Sequence, residues 1–193
     1  MTQASLIPES QAAHAIATLT LAFAGDPMAR WTWADPQVFL SAWPRMIRGM
    51  AGAAFQHGSA WSVDALHGVA LWLPPGVGSD DAALEALFRE TVPKAQQAQG
   101  AEMFARMEEQ HPKEPHWYLP LVGVDPVAQG RKLGAALMAP ALALCDRDGL
   151  PAYLESSNPR NVHFYERLGF RVKTTLQVGN SPELIPMLRP PRG

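Results

Sequence analysis

The segment Val122-Gly-Val-Asp-Pro-Val-Ala-Gln129-Gly130-Arg131-Lys132-Leu133-Gly134, running into Ala135-Ala-Leu-Met138, decides how the rest of the chain is read. An apolar strand that stops at a proline turn, followed by a glycine-containing basic loop and then a helix, turns backbone N–H groups into an anion cradle. The segment therefore reads as a phosphate site. Its spacing excludes two common kinds. A dinucleotide fingerprint needs G-x-G-x-x-G, and a P-loop needs G-x-x-x-x-G-K-[ST]. Here Gln129 stands five residues before Gly134, with a second glycine at 130.

Working outward, residues 133–148 read as the helix that follows the loop. Leu133, Leu137, Ala141, Leu144 and Cys145 form its apolar stripe, Gly149 stops it, and Pro140 is expected to bend it. The strand that feeds the loop spans 116–124. Residues 152–156 form a short strand, and Asn158-Pro159 starts a helix with Asn as cap and Pro in the first turn, ended by Leu168-Gly169. Residues 170–178 and 184–188 are expected to pair as a terminal hairpin around 179–182. Upstream, a helix is expected over 9–24 behind the candidate cap Ser10. A second runs over 36–55 with a bend or break at Pro44, and between them residues 25–35 form a loop carrying Trp31 and Trp33. Residues 59–64 and 68–73 read as an antiparallel pair stopped by Pro74-Pro75, and 80–110 as a polar helical insertion interrupted at Pro93. Mixed strands around a central crossover helix make an α/β protein.

At 193 residues the expectation is a single domain over 1–193. With 47% hydrophobic and 18% charged residues and a formal net charge of −2, the chain lacks the basic excess of a nucleic-acid binder. The 18 prolines are scattered and punctuate loops. A single cysteine, Cys145, excludes an internal disulfide and fits the reducing cytoplasm; on the helix stripe it reads as a packed core residue. The N-terminus carries no Lys or Arg before its apolar segment, so no secretory signal is expected, and the apolar stretch 12–25 is too short to span a bilayer. No membrane, nucleic-acid or metal partner is expected.

A second cluster follows the central helix: Tyr153-Leu-Glu155-Ser-Ser-Asn158-Pro159-Arg160-Asn161-Val-His-Phe164-Tyr165-Glu-Arg-Leu168-Gly169-Phe170. With the phosphate loop it resembles the acetyl-CoA-binding core of the GNAT superfamily of N-acetyltransferases. Adding His111-Pro-Lys-Glu-Pro-His116-Trp117-Tyr-Leu, the chain is similar to puromycin N-acetyltransferase and its relatives, densely over 111–172 and thinly upstream. One position departs from the family loop, which usually carries glycine where this chain has Lys132. A non-glycine residue still donates its N–H there if its φ is negative.

The resemblance implies a mixed, mostly antiparallel sheet flanked by helices, with acetyl-CoA as co-substrate and a small-molecule amine as acceptor. Val122, Gly123 and Val124 would pair with the pantetheine arm, and Gln129, Gly130, Arg131, Lys132, Leu133, Gly134 and Ala135 would hold the pyrophosphate. Asn158, Asn161 and Phe164 would complete the cofactor site. Tyr165 would be the general acid for the departing thiolate; periodicity alone also allows a packed core tyrosine. Asn158 reads equally as a helix cap. For the base the readings stay open between Glu155, otherwise a solvated carboxylate, His116, otherwise a strand-face histidine, and no dedicated base at all. Trp31, Trp33 and Trp117 are the candidate acceptor contacts, the remaining tryptophans reading as core. Acetylation of a protein amine and a non-catalytic CoA sensor are the alternative functions. The terminal hairpin offers an edge strand, so a homodimer is left open.

Overall fold

The computed structural model describes residues 3–192. In chain order it contains β1 (Ser5–Leu6), a 3-10 turn at Glu9–Gln11, α1 (Ala12–Ala22), α2 (Pro27–Thr32), α3 (Pro36–Ala51) and α4 (Ala53–Gln56). Then follow β2 (Ala60–Val63), β3 (Gly68–Leu73), α5 (Asp81–Thr91), α6 (Lys94–Gln110), β4 (Trp117–Val124) and α7 (Leu133–Asp148). The chain closes with β5 (Ala152–Ser156), α8 (Val162–Arg167), β6 (Arg171–Val172) and β7 (Ile185–Arg189).

The strands form one sheet in the order β1-β2-β3-β4-β5-β7-β6, antiparallel except for the parallel pair β4-β5 joined through α7. Strand β3 is buried along its whole length, so side chains that alternate along it feed two cores. Val69, Leu71 and Leu73 pack with α1, α3 and α5, whereas Ala70 and Trp72 pack with Leu133, Leu137, Met138 and Ala141 of α7. The central sheet is thus covered on both faces, as an α/β architecture requires.

The parallel pair is short, and its shortness shapes the molecule. Partners are Trp117↔Ala152, Tyr118↔Tyr153 and Leu119↔Leu154, and there the ladder stops. Pro120 follows, with no N–H to give. Between Tyr118 and Leu121 strand β4 takes three steps while β3 opposite takes two, from Leu73 to Leu71, which is a β-bulge. Beyond the bulge β4 stays paired with β3 as far as Val124↔Gly68, and β5 stays paired with β7 as far as Ser156↔Ile185. Each strand keeps its outer neighbour while the two part from each other. The sheet forks, and the inner edge of β4 from Leu121 onward lacks a strand partner.

Four Asx-Pro pairs start helical turns around this fork. Asp26, Asp35, Asp125 and Asn158 each accept a backbone N–H with Oδ1, from Ala29, Gln37 and Val38, Val127 and Arg160 respectively, and a proline follows each. The side chain satisfies a donor the helix cannot, and proline's fixed φ suits the first turn.

Several local expectations need correction. The segment 25–35 is not a loop throughout, because Asp26-Pro27 starts α2. The first helix begins as a 3-10 turn after Pro8, and Ser10 caps nothing. In the second helix the interruption falls at Gly52, where α3 meets α4, while Pro44 lies inside continuous α3. The terminal hairpin shrinks to Arg171↔Leu188 and Val172↔Met187 plus an isolated bridge Leu176↔Leu184. Ser181, whose Oγ accepts from Val178 N–H, folds the connection back on itself instead of letting it extend the ladder.

Candidate active site

The fork opens into a cavity of about 1200 Å³ that continues from one face of the sheet to the other. One half is walled by residues 121–124 of β4, the loop after it, the start of α7, and Asn158, Asn161, Phe164 and Tyr165. The other half lies under α2, α3 and the α5–α6 insertion. Its walls are almost wholly apolar: Trp31, Trp33, Trp43, Phe88 and Phe104, with Met28, Met46, Met50, Met103 and Met107. Five of the eight methionines in the chain line this chamber, a deformable surface suited to bulky apolar ligands.

The loop between β4 and α7 is built as a row of donors. Gln129 is extended, Gly130 has φ +78°, and α7 begins at Leu133 with no side chain capping its first turn. Its N–H groups at the positive helix end are left for an external acceptor. Lys132 has φ +60° and ψ +22°, so the position that favours glycine keeps its left-handed backbone with a lysine in it. The condition of negative φ is therefore not met; the chain keeps the turn and carries the cost. Lys132 lines the cavity, as do Arg160 and Arg167. Arg131 does not: its guanidinium is 2.8 Å from the Asp64 carboxylate, on the far side of the loop.

Two glycines keep the cavity walls close. A Cβ on Gly123 would lie 2.6 Å from Cβ of Ala22 in α1, and one on Gly134 would lie 3.1 Å from the Phe164 ring. Both positions lie in stretches expected to line a cofactor channel, and both give room to backbone that a side chain would fill.

Tyr165, on α8, is 7% exposed and points into the cavity. Burial holds its phenol above the usual range, and the Asp26 carboxylate adds to the effect. Asp26 is nearly buried, its Oδ2 accepting a 2.5 Å bond from Ser157 Oγ. Desolvation raises its carboxyl above the ordinary value, against the opposing pull of the bonds from Ser157, Ala29 and Met28.

Glu155 is the second carboxylate. On β5 it shares a face with Tyr153, looks into the apolar chamber, and its side chain is 3% exposed. His111 Nε2 stands 3.1 Å from its Oε1, yet Oε1 makes no aligned hydrogen bond. Burial pushes the phenols of Tyr118 and Tyr153 upward, with the Glu155 charge as the next cause.

Of the other expected residues, Trp31 and Trp33 line the chamber. Trp33 is 2% exposed and donates to Thr91 Oγ1, and Trp31 donates to Asn180 Oδ1. Trp117 does not line it; the residue packs in the core under α7. His116 also lies off the cavity, with Nδ1 2.9 Å from Glu114 O and its ring 6.0 Å from that of Tyr153. Asp26, Tyr118 and the chamber methionines escaped the sequence reading. Only Asp26 carried a signal there, the Asp-Pro pair. His111 was visible only as part of the motif around His116.

The model of the Acetyltransferase (GNAT) family matches residues 100–170, which hold β4, the donor loop, α7, β5 and α8. Over that stretch the chain is similar to the GNAT family. An uncharacterised N-acetyltransferase of Schizosaccharomyces pombe is 27% identical over 193 aligned residues, covering 90% of this chain and 76% of that protein. A histone acetyltransferase HPA2-related acetyltransferase from Corynebacterium glutamicum superposes with TM-score 0.72 at 23% identity, over 100% of this chain and 97% of that one. Arylalkylamine N-acetyltransferase 2 from Aedes aegypti superposes with TM-score 0.66 at 14% identity, over 99% of each chain. At these identities the two solved structures show a likeness of fold. Among the described residues no cluster of three or more His, Cys, Asp or Glu side chains is placed to hold a metal ion, and no helix is long and apolar enough to cross a membrane.

Proposed function

We propose that this GNAT acetyltransferase moves the acetyl group of acetyl-CoA onto the amine of a small, mainly apolar and aromatic molecule. The observation that carries the reading is the fork, which joins a donor-rich half and an apolar half in one cavity. Acetyl-CoA suits the first half. Its pyrophosphate would take the N–H groups of the loop and of the first turn of α7, its pantetheine amides the open edge of β4 at residues 121–124. Lys132 would add charge to the phosphates. The amine suits the second half, whose aromatic and methionine walls meet a carboxylate at Glu155.

In the reaction the amine nitrogen attacks the thioester carbonyl carbon. The C–N bond forms, the C–S bond breaks, and the products are an amide and free thiol. An amine arrives mainly as an ammonium ion and must lose a proton before attack. Glu155, buried on the acceptor side, takes it directly or through one water. Tyr165 gives its phenolic proton to the departing thiolate, a role for which a phenol held protonated by burial is well prepared, and the proton that nitrogen sheds on becoming an amide restores the phenol. Holding both reactants in one desolvated fork supplies the rest of the rate.

The relatives support a small-molecule acceptor only in part, since their names span arylalkylamine and histone acetyltransferases. The aromatic and methionine walls of the chamber favour a small apolar molecule over a polar protein segment. The direct test is incubation with acetyl-CoA and a mixed panel of arylalkylamines, puromycin, polyamines, aminoglycosides and short peptides, followed by mass spectrometry of the panel. Acetylation confined to the apolar amines supports the reading. Acetylation of peptides alone overturns it.

A further inference from the structure

We propose that His111 is a positioning residue for acetyl transfer, holding Glu155 in the geometry in which it takes the proton of the acceptor amine. The inference rests on the reading of Glu155 as base.

His111 follows the last residue of α6, and its backbone N–H is 3.2 Å from both Met107 O and Glu108 O, which pins the residue to the helix end. Its ring is clamped between two phenols, with centroids 4.7 Å from Tyr118 and 4.5 Å from Tyr153. Both rings lie tilted or edge-on to it, arrangements that hold an imidazole without exchanging protons with it. Clamped in this way, Nε2 stands 3.1 Å from Glu155 Oε1. The imidazole itself does not line the cavity, so it stands behind the carboxylate and acts through it.

Glu155 needs such support. A carboxylate that is 3% exposed is costly unless partners face it, and besides His111 the phenols of Tyr118 and Tyr153 lie close enough to feel its charge. Its Oε1 has no aligned hydrogen bond among the described residues, so the contact with His111 orients the group without using up its capacity. Glu155 itself lines the cavity where the amine would arrive. The ammonium proton passes to a Glu155 oxygen before attack; the C–N bond then forms, the C–S bond breaks, the thiolate takes its proton from Tyr165, and the proton that nitrogen sheds on becoming an amide restores the phenol. Nothing is oxidised or reduced.

Helix α6 also carries Met103, Phe104 and Met107 of the acceptor wall. One element thus shapes the chamber and aims the base, so packing of the acceptor against α6 is transmitted to the position of His111. A rival histidine, His116, lies 5.7 Å away ring to ring but is turned to Glu114 O.

The test uses two acceptors with the intact protein and acetyl-CoA: phenethylamine, an ammonium ion at neutral pH, and phenylhydrazine, largely neutral there. The variants are His111→Ala, His111→Gln, Glu155→Gln and the double variant His111→Ala with Glu155→Gln. The expected result is a loss in kcat of about 10- to 100-fold for His111→Ala with phenethylamine, the cost of a misplaced reacting group. KM for acetyl-CoA should stay unchanged, His111→Gln should recover most of the loss, and adding His111→Ala to Glu155→Gln should lower the rate by less than about threefold further, the mark of residues acting as one unit. Phenylhydrazine, which arrives with no ammonium proton to lose before attack, should lose little with any of them.

If Glu155→Gln is damaging while His111→Ala is silent, the proposal falls and the base reading stands. If His111→Ala harms both acceptors equally, or its effect multiplies with that of Glu155→Gln, His111 is merely structural and the proposal is overturned. If neither substitution matters, the base reading falls and takes this proposal with it. Turnover of neither acceptor overturns the chamber reading beneath both.

Discussion

Asp26 Oδ2 accepts a 2.5 Å hydrogen bond from Ser157 Oγ, tying the start of α2 to the chain just beyond β5 across the mouth of the fork. The two residues are 131 positions apart, and the contact crosses the place where the sheet has no ladder of its own. Its carboxylate is held at a cost. Burial raises the Asp26 carboxyl above 3.8, so the folded chain binds that proton more tightly than the unfolded one. Stability from this group is therefore greatest at low pH and declines as pH rises from the ordinary carboxylate value through the raised one. Asp26→Asn keeps the cap on Ala29 and removes the charge. The variant should be at least as stable as the parent at pH 7.5 and should lose that standing toward pH 4, measured as Tm against pH. A relative stability that moves the other way would mean that Ser157 and the α2 N–H groups outweigh desolvation.

Lys132 carries a left-handed backbone that lysine disfavours by about 1–2 kcal/mol. Lys132→Gly should raise stability by about 1 kcal/mol, a Tm gain of roughly 2–4 °C for a chain of this size. Lys132→Ala keeps the strain and removes the charge. Any weakening of acetyl-CoA binding common to both variants then reports the ammonium group, and a Tm gain limited to glycine reports the backbone.

Gly123 is where α1 rests on β4. A Cβ there would meet Cβ of Ala22 at 2.6 Å, closer than the helix tolerates without moving. Gly123→Ala should cost about 1–3 kcal/mol in a denaturant titration, the usual price of overpacking. It should also raise KM for acetyl-CoA, because α1 and the turn that follows it move off the fork.

Arg189 on β7 is buried, its side chain 3% exposed, and it makes two bonds to the Asp146 carboxylate at 2.7 and 2.8 Å. This pair fastens the edge of the sheet to α7. Asp146→Ala should destabilise by about 3 kcal/mol, since it leaves a buried guanidinium unpaired. Joining it with Arg189→Met should restore part of the loss, seen as a higher denaturation midpoint than Asp146→Ala alone.

Much of the donor-rich half of the cavity was legible in the chain. The donor loop, β4, α7, β5 and the Asn158-Pro159 start lie in one continuous stretch, and their cues are local: glycine, proline, a cap, a helical stripe. The apolar half was not. Its walls come from α2, α3, α5 and α6, and single methionines on a polar helix such as α6 carry no pattern that separates a chamber from a core. His111 and His116 look alike in sequence, five residues apart on the same approach to β4. What separates them is where each side chain comes to rest, His111 between two rings and His116 outside them. Trp117 misled for a similar reason, because alternation along β4 turns it toward α7 while its neighbour Tyr118 faces the chamber.

The measurement that bears most directly on the account is free-thiol release from acetyl-CoA with an apolar arylalkylamine, run for the parent and for Tyr165→Phe across neutral to alkaline pH. The account predicts amine-dependent turnover that falls at least about tenfold in the variant. Because burial holds the Tyr165 phenol above its usual range, the parent should show no loss from ionisation of this acid as pH climbs toward about 10. Amine-dependent turnover that Tyr165→Phe leaves unchanged, or no thiol release with any amine, would contradict it.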